Sequence, residues 1–309
     1  MFPAPKTIIG DKKTLLDSYN KQVIELETTI LTKKQPEHFR FCSYNVKAFD
    51  FNGFGSKEIK NFIDTIQPDA FSLIEYEKEN DKNFRYNKVN TSVLFEQLPD
   101  YGIFTNYNSG FIDAYKNNID NKTIKYGNSL ISLKKFKCLT HGKAGPLKEF
   151  RGFTHLSIKY KSENINIITV HLDVYDETGE IRLMEIKEIY QYILNNSLTN
   201  TIIIGDFNEW DLKKDDPTYK DSLIDFKQRT NIEHFSTKVH DYLHGHNFGN
   251  VFHMKGLKPL FSCWAGKLVD FCYLYKSSWS KNVTIENIYM PIIKYSDHLP
   301  VYFDLSVTK

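Results

Sequence analysis

Thr201-Ile-Ile-Ile-Gly-Asp-Phe-Asn208 is the stretch on which the fold turns. Four residues, three of them Ile, are bounded by Gly and then by an acid and a carboxamide. That short apolar run reads as a strand over Thr201–Asp206, with polar residues at its end. Upstream, residues 180–195 carry Ile181, Met184, Ile186, Ile189, Tyr190 and Ile193 on one side, which predicts a helix. Before it, Asn164–Leu172 reads as another strand. Strands alternating with amphipathic stretches read as an α/β domain.

The same alternation extends outward. Phe39–Asn45, Ala70–Glu75, Tyr101–Thr105, Ser129–Leu133, Gly152–Tyr160, Val269–Tyr275 and Leu299–Leu305 read as strands, and residues 56–66 as a helix. So many strands exceed one comfortable open sheet, so two packed sheets are expected. Residues 11–34 form an amphipathic pattern through Leu16, Tyr19, Val23, Leu26 and Ile30, with Asp11 as a cap and Gln35-Pro36 as the stop. This divides the chain into an N-terminal extension over 1–36, either packed on the main domain or engaging a partner, and an α/β domain over 37–309. No internal repeat and no Pro-, Gly- or Ser-rich linker is visible.

Composition narrows the class. The 309 residues are 41% hydrophobic and 15% aromatic, enough for a sizeable core. Abundant Tyr and Phe with little Ala favour strands over a helical bundle. A net charge of +2 gives no global signal for a polyanion, so any such site must arise from local charge. The four cysteines, at 42, 138, 263 and 272, have no paired CxxC spacing, which argues against a zinc ribbon and a disulfide scaffold. Cys42, Cys263 and Cys272 sit in or beside apolar runs and are expected in the core. No signal-peptide pattern opens the chain and no run nears about 18 apolar residues. The expectation is a soluble intracellular protein, cytoplasmic or nuclear, without a membrane span.

Polar residues close the apolar runs. Asn45, Glu75, His171, and Asp206 with Asn208 each follow one, and Asp297-His298 precedes the last. A strand must end somewhere and Asn or Asp suits a turn, but these seven groups together suit a phosphate ester. The anion repels a nucleophile until a hard cation neutralises it, and Mg²⁺ takes oxygen ligands. Glu75 is the ligand candidate, with Asn45 as its carboxamide neighbour. Asp206 is placed to orient or deprotonate water. Asn208, two residues on, faces the same way if extended geometry continues. His171 and His298 are donors to non-bridging oxygens. Asp270, an acid within Val269-Asp-Phe-Cys-Tyr, needs a partner. Either it orients His298 or it forms a structural salt bridge.

These residues carry a resemblance. Ser43-Tyr-Asn-Val, Asp69-Ala-Phe-Ser-Leu-Ile-Glu75, Tyr126-Gly-Asn-Ser-Leu-Ile-Ser132, Val170-His-Leu-Asp173, Ile204-Gly-Asp-Phe-Asn208, Val269-Asp-Phe and Ser296-Asp-His-Leu-Pro-Val301 occur in an order that resembles the endonuclease/exonuclease/phosphatase superfamily, the DNase I-like phosphoesterases. The resemblance spans about residues 39–305. It implies a four-layer α/β sandwich, two packed mixed β-sheets flanked by helices, with the N-terminal helical extension outside it. It also implies Mg²⁺-dependent hydrolysis (Mn²⁺ as the alternative ion) without a covalent intermediate. Asn45, Glu75 and Asp297 would then lie at the metal and His171 at the phosphate. Asp206 and Asn208 would serve the water, and Asp270 would orient His298. Ile74 stands where many members carry Gln before the metal-binding Glu.

Substrate choice rests on weaker signals. Lys134 to Arg151 is the most basic stretch and reads either as a track for a polyanion or as a solvated loop. Arg151, Asn128, Lys134 and Lys135 are the candidate substrate contacts. His240-Asp-Tyr-Leu-His-Gly-His246 fits no clean zinc motif. It reads as a structural loop, or as a substrate-side loop with Tyr242, Phe248 and Phe252 for base stacking. The favoured activity is a nuclease or DNA-repair-type phosphodiesterase with a nucleic acid partner. The alternatives are a phosphomonoesterase or phospholipase on a small or lipid phosphoester, and an inactive binding module on the same fold.

Overall fold

The computed structural model describes residues 34–46, 56–77, 98, 100–105, 126–133, 138–140, 152–174, 176, 178–210, 236–257, 259, 261–263, 267–291, 293 and 295–308. The expected helix over 11–34 therefore falls almost wholly outside the described residues, as do Lys134, Lys135 and Arg151.

Two six-stranded mixed sheets form the centre. The first runs β11 (Val283–Tyr289), β12 (Val301–Val307), β1 (Phe39–Asn45), β2 (Ala70–Glu77), β4 (Tyr126–Leu133), β3 (Tyr101–Thr105). The second runs β5 (Cys138–Thr140), β6 (Phe153–Tyr160), β7 (Glu163–His171), β8 (Thr201–Asp206), β10 (Asp270–Tyr275), β9 (Phe248–Asn250). Each contains one parallel pair, β1–β2 and β7–β8, and its other pairs are antiparallel. Each parallel pair needs a crossover. Helix α1 (Ser56–Ile66) lies between β1 and β2 in the chain, and helix α2 (Glu180–Asn195) between β7 and β8. The two sheets thus repeat one connectivity that the sequence does not display as a repeat.

The core divides by layer. Phe39, Phe41, Ala70, Leu130, Leu156, Ile167, Ile202, Ile204, Cys272 and Phe303 belong to one cluster between the sheets. Cys42, Tyr44, Phe71 and Leu73 point outward and pack with Phe62, Ile63 and Ile66 of α1. Ile168, Val170, Ile203 and Phe271 point outward and pack with Ile186, Ile189 and Ile193 of α2 and with Val239 and Leu243 of α3 (Lys238–Gly245). The order is helix, sheet, sheet, helix, the four-layer sandwich. Every residue of β1 and β8 is buried, because both faces of these strands are covered. Gly179, at a φ of 75°, is the N-cap of α2, and Asp176 three residues earlier satisfies free N–H groups of its first turn: Oδ2 accepts the Ile181 N–H at 2.7 Å and the Arg182 N–H at 3.3 Å.

This architecture gathers the C-terminal ends of β1, β2, β7 and β8 at one edge, the place where open parallel arrangements bind ligands. Among the described residues no helix is long and apolar enough to cross a membrane.

Candidate active site

Asn45 closes β1, and its Nδ2 donates to Glu75 Oε1 and to Asp206 Oδ2, both at 3.1 Å. One carboxamide therefore ties the two sheets together. Glu75 reaches it through a backbone irregularity. The β2–β4 register shifts between Leu73 and Tyr76, and Glu75 has a φ of 54°, the left-handed region that a non-glycine residue enters only under constraint. Its side chain is 25% exposed against 1% for Asp206, so Glu75 is the carboxylate open to solvent.

His171 ends β7 opposite Asp206 in the parallel register. Its Nε2 lies 3.7 Å from both Glu75 Oε1 and Asp206 Oδ2. Asp206 also lies opposite Asp270, the first residue of β10. Asp270 Oδ2 accepts from His298 Nδ1 at 2.8 Å, while His298 Nε2 stands 3.7 Å from Asp206 Oδ2. Asp270 has the partner the sequence demanded, and it is His298. The His298 ring thus presents its other nitrogen to the site.

Charge in this cluster is coupled. Burial pushes the Asp206 carboxyl up to about 6; the positive charge of His298 opposes this, the neighbouring Asp270 adds to it, and hydrogen bonds from the Asn208 and Asn45 N–H groups pull it down. Burial alone would lower His298, but the carboxylates of Asp270 and Asp206 outweigh it and hold the imidazole well above the usual histidine range. A carboxyl raised toward neutrality beside a raised imidazole is the kind of pair that can exchange a proton with a water.

Asn208 departs from the expected geometry. Its φ of 48° breaks the extended path, so it does not simply share a face with Asp206. Instead its backbone N–H donates to Asp206 Oδ1 at 2.9 Å and its Nδ2 donates to the Leu172 carbonyl at 3.0 Å. It fixes the Asp206 carboxylate from below and links the turn after β8 to the turn after β7. Asp297 is partly buried one residue before His298, with Ser296 Oγ 3.3 Å from its Oδ1. Asn128 is buried and donates to the Gly152 carbonyl at 3.4 Å. Among the described residues no hydrogen bond joins it to the Asp206 cluster.

Two sets of donors bear on a metal. Asp206, Asp270 and His298 place ligand atoms within 4.8 Å of one another, and they are the only such group of three among the described residues. That set commits His298 Nδ1 to Asp270 and mixes imidazole with carboxylate, a combination suited to a borderline ion. The Glu75 carboxylate, with the Asn45 carboxamide 3.1 Å away, is an all-oxygen offer once the amide is turned, and it faces solvent. A hard divalent cation fits this second set better, since it takes few protein carboxylates and keeps water.

Other expectations need correction. Cys263 is half-buried rather than in the core, and it pairs with both His298 and Lys267 in isolated bridges. His240 to Gly245 lies in helix α3, not in a loop, and Phe248 and Phe252 are buried, which removes them as stacking platforms. His240 is a core residue. Nδ1 meets the Tyr273 hydroxyl at 2.7 Å and Nε2 the Glu209 carbonyl at 3.2 Å. Sequence reasoning missed Glu209, whose buried carboxylate accepts the Val239 N–H at 2.7 Å and pins α3 behind the Asp206–Asn208 turn. An acid directly after an expected site turn was the available signal.

No protein-family profile matches the chain. No curated protein sequence matches it either. Among solved structures it is similar to TDP2 of D. rerio complexed with single-strand DNA product, with a TM-score of 0.57 and 14% identity over 87% of this chain and 99% of that one. The human Nocturnin catalytic domain with bound sulfate gives a TM-score of 0.56 and 18% identity over 89% of this chain and 97% of that one. An endonuclease/exonuclease/phosphatase from Beutenbergia cavernae gives 0.57 and 13% over 88% and 72%.

Proposed function

We propose, from the DNase I-like fold of the endonuclease/exonuclease/phosphatase superfamily that this chain has, that it is a Mg²⁺-dependent phosphodiesterase acting on nucleic acid. The observation that carries the reading is the convergence of Asn45, Glu75, His171 and Asp206 at the ends of two parallel strand pairs, with the Asp270–His298 pair closing the same cluster at 2.8 Å. Such a set has a hard-cation position, a proton acceptor and two imidazole donors within one hydrogen-bonded patch.

Glu75, with Asn45 and Asp297, would hold Mg²⁺, which would supply charge neutralisation for the phosphodiester. Asp206 orients the attacking water and takes its proton. Asn208 keeps the Asp206 carboxylate turned toward that water. His171 and His298 donate to non-bridging oxygens as negative charge grows on them. Asp270 keeps His298 protonated and oriented through Nδ1, so that the Nε2–H faces the substrate as a donor. Arg151, Lys134 and Lys135, with the rest of the basic stretch before β6, would supply further phosphate contacts, and Asn128 on β4 is the remaining candidate contact. A nucleic acid substrate accords with that basic stretch and with the DNA-bound relative of the same fold.

A substrate panel tests this. Plasmid DNA, single-stranded RNA, a 5′-tyrosyl oligonucleotide, inositol phosphates and sphingomyelin are incubated with the protein and Mg²⁺. Cleavage of one of the first three is expected. It should be abolished by EDTA and reduced by about a hundredfold or more in Asp206→Asn, the scale of losing a general base. Turnover confined to the last two would replace the nuclease reading with a phosphatase or phospholipase. Binding without turnover on the whole panel would make the chain a binding module.

A further inference from the structure

We propose that Ser262, which none of the strand-end motifs contains, is the positioning residue that sets the distance between Asp270 and His298. The inference rests on the phosphodiesterase reading for its kinetic consequence, but not for its geometry. Ser262 is fully buried. Its Oγ accepts two successive backbone N–H groups, those of Val269 and Asp270, each at 2.9 Å. Successive N–H groups of an extended strand point to opposite sides, so no single neighbouring strand can serve both. Here they converge as a small nest, and one side-chain oxygen fills it.

The backbone of Ser262 holds the other half of the pair. Its carbonyl accepts the Leu299 N–H at 2.6 Å, and its N–H donates to the Lys267 carbonyl at 2.8 Å. Leu299 directly follows His298, and Cys263, directly after Ser262, bridges His298. One residue therefore grips the peptide that carries Asp270 through its side chain and the peptide after His298 through its main chain. The Val269 carbonyl in turn accepts the Phe207 N–H at 2.8 Å, so the residue after Asp206 is held by the same peptide.

Removing the hydroxyl leaves two buried N–H groups without an acceptor, which native interiors avoid. The nearest relief is a shift of Val269–Asp270 toward another acceptor. Such a shift draws the Asp270 carboxylate off His298 Nδ1 and frees the ring to turn. A displacement of about 1 Å at a reacting group lowers a rate by about a hundredfold, so kcat should fall on that scale while KM stays within about twofold.

The test uses the full chain with two readouts. The first is the far-downfield ¹H signal of the His298 Nδ1–H, assigned by its absence in His298→Gln. The second is kcat and KM on whichever substrate of the panel is cleaved. Ser262→Ala should lose the signal and drop kcat at constant KM. Ser262→Thr, which keeps the oxygen, should retain the signal and restore kcat to within about threefold. A folded Ser262→Ala that keeps the wild-type signal and kcat overturns the proposal, as does Ser262→Thr behaving like Ser262→Ala. If circular dichroism shows Ser262→Ala unfolded, Ser262→Cys takes its place. Its weak sulfur acceptor should broaden the signal, and an unchanged signal overturns the proposal. Should the wild type cleave nothing on the panel, the phosphodiesterase reading fails while the resonance still decides the role of Ser262.

Discussion

Gly205 lies opposite Val170 across the parallel β7–β8 pair, and a Cβ at position 205 would stand 2.2 Å from the Val170 carbonyl oxygen. Its φ of 139° is a region that side-chain-bearing residues rarely adopt. The contact matters because the next pair in the register is His171 and Asp206. Gly205→Ala must push β8 away from β7 just where the two site residues face each other. Backbone strain and overpacking together should lower stability by at least about 2 kcal/mol. Urea denaturation measures this. Residual activity should fall further than the folded fraction accounts for, and a variant of wild-type stability would refute the steric argument.

Asp270 and His298 act as one unit if their 2.8 Å hydrogen bond serves the reaction. Asp270→Asn and His298→Ala should each lower kcat by about a hundredfold or more, the range for losing an acid–base group. The double variant should be no slower than the slower single, because the second change removes a group already made idle. Multiplying effects would show two independent roles and dissolve the dyad.

Much of the site was legible because polar residues close apolar runs. Asn45, His171 and Asp206 each end a buried strand where the apolar run predicted it, whereas β2 continues two residues past Glu75 to Glu77, beyond the end the sequence suggested. The pairing of Asp270 with His298 was legible for a different reason, since a carboxylate inside Leu268-Val-Asp-Phe-Cys demands a partner. What the sequence hid is conformational or non-local. The positive φ values of Glu75 and Asn208 have no glycine to announce them. Strands β5 and β9 have three residues each, too few to show a period. In β11 the Glu286-Asn287 interruption coincides with a register irregularity against β12, which blurs its alternation. The His240 cluster reads in sequence as a loop, structural or substrate-side; the structural reading of His240 holds, since it is buried against Phe207, Phe271 and Tyr273, but on a helix rather than a loop. Ser262 was invisible because its role is to satisfy main-chain groups seven and eight positions away.

Stability and activity should separate at the other end of β1. Arg40 and Asp304 form a buried pair, with Arg40 Nε 2.6 Å from Oδ1 and Nη2 2.7 Å from Oδ2. Nη1 donates to the Ile66 carbonyl at 2.7 Å, and the guanidinium lies over Tyr302 at 5.0 Å. Arg40→Ala leaves the Asp304 carboxylate buried and uncompensated, which costs about 3–5 kcal/mol. Arg40 is five residues from Asn45 on a continuous strand, so the site geometry should survive in the folded fraction. The expected outcome is a large fall in the denaturation midpoint with kcat per folded molecule unchanged. A lowered kcat in fully folded protein would show that the Arg40 end of β1 also positions Asn45.

A second histidine gives a pH signature independent of the site. His155 on β6 is buried, with Nδ1 2.9 Å from the Tyr192 hydroxyl and Nε2 3.0 Å from Asn166 Oδ1. Burial lowers its pKa, and the Asn166 hydrogen bond opposes this only in part. The folded protein therefore keeps His155 neutral at a pH where the unfolded chain, near 6.5 for an ordinary histidine, has bound a proton. With more protons on the unfolded state, stability rises with pH through this window. The contribution is complete above about pH 6.5 and is lost as pH falls below it toward the folded value. His155→Gln cannot titrate, so the wild-type-minus-variant difference in unfolding free energy should shrink on acidification from about pH 7.5 to about pH 5.5, the span that brackets an ordinary histidine. Taking the difference cancels the other titrating groups, including Asp206, whose raised carboxyl has the opposite sign. A difference that stays flat across this window would mean that His155 is no more reluctant to charge in the fold than in the open chain.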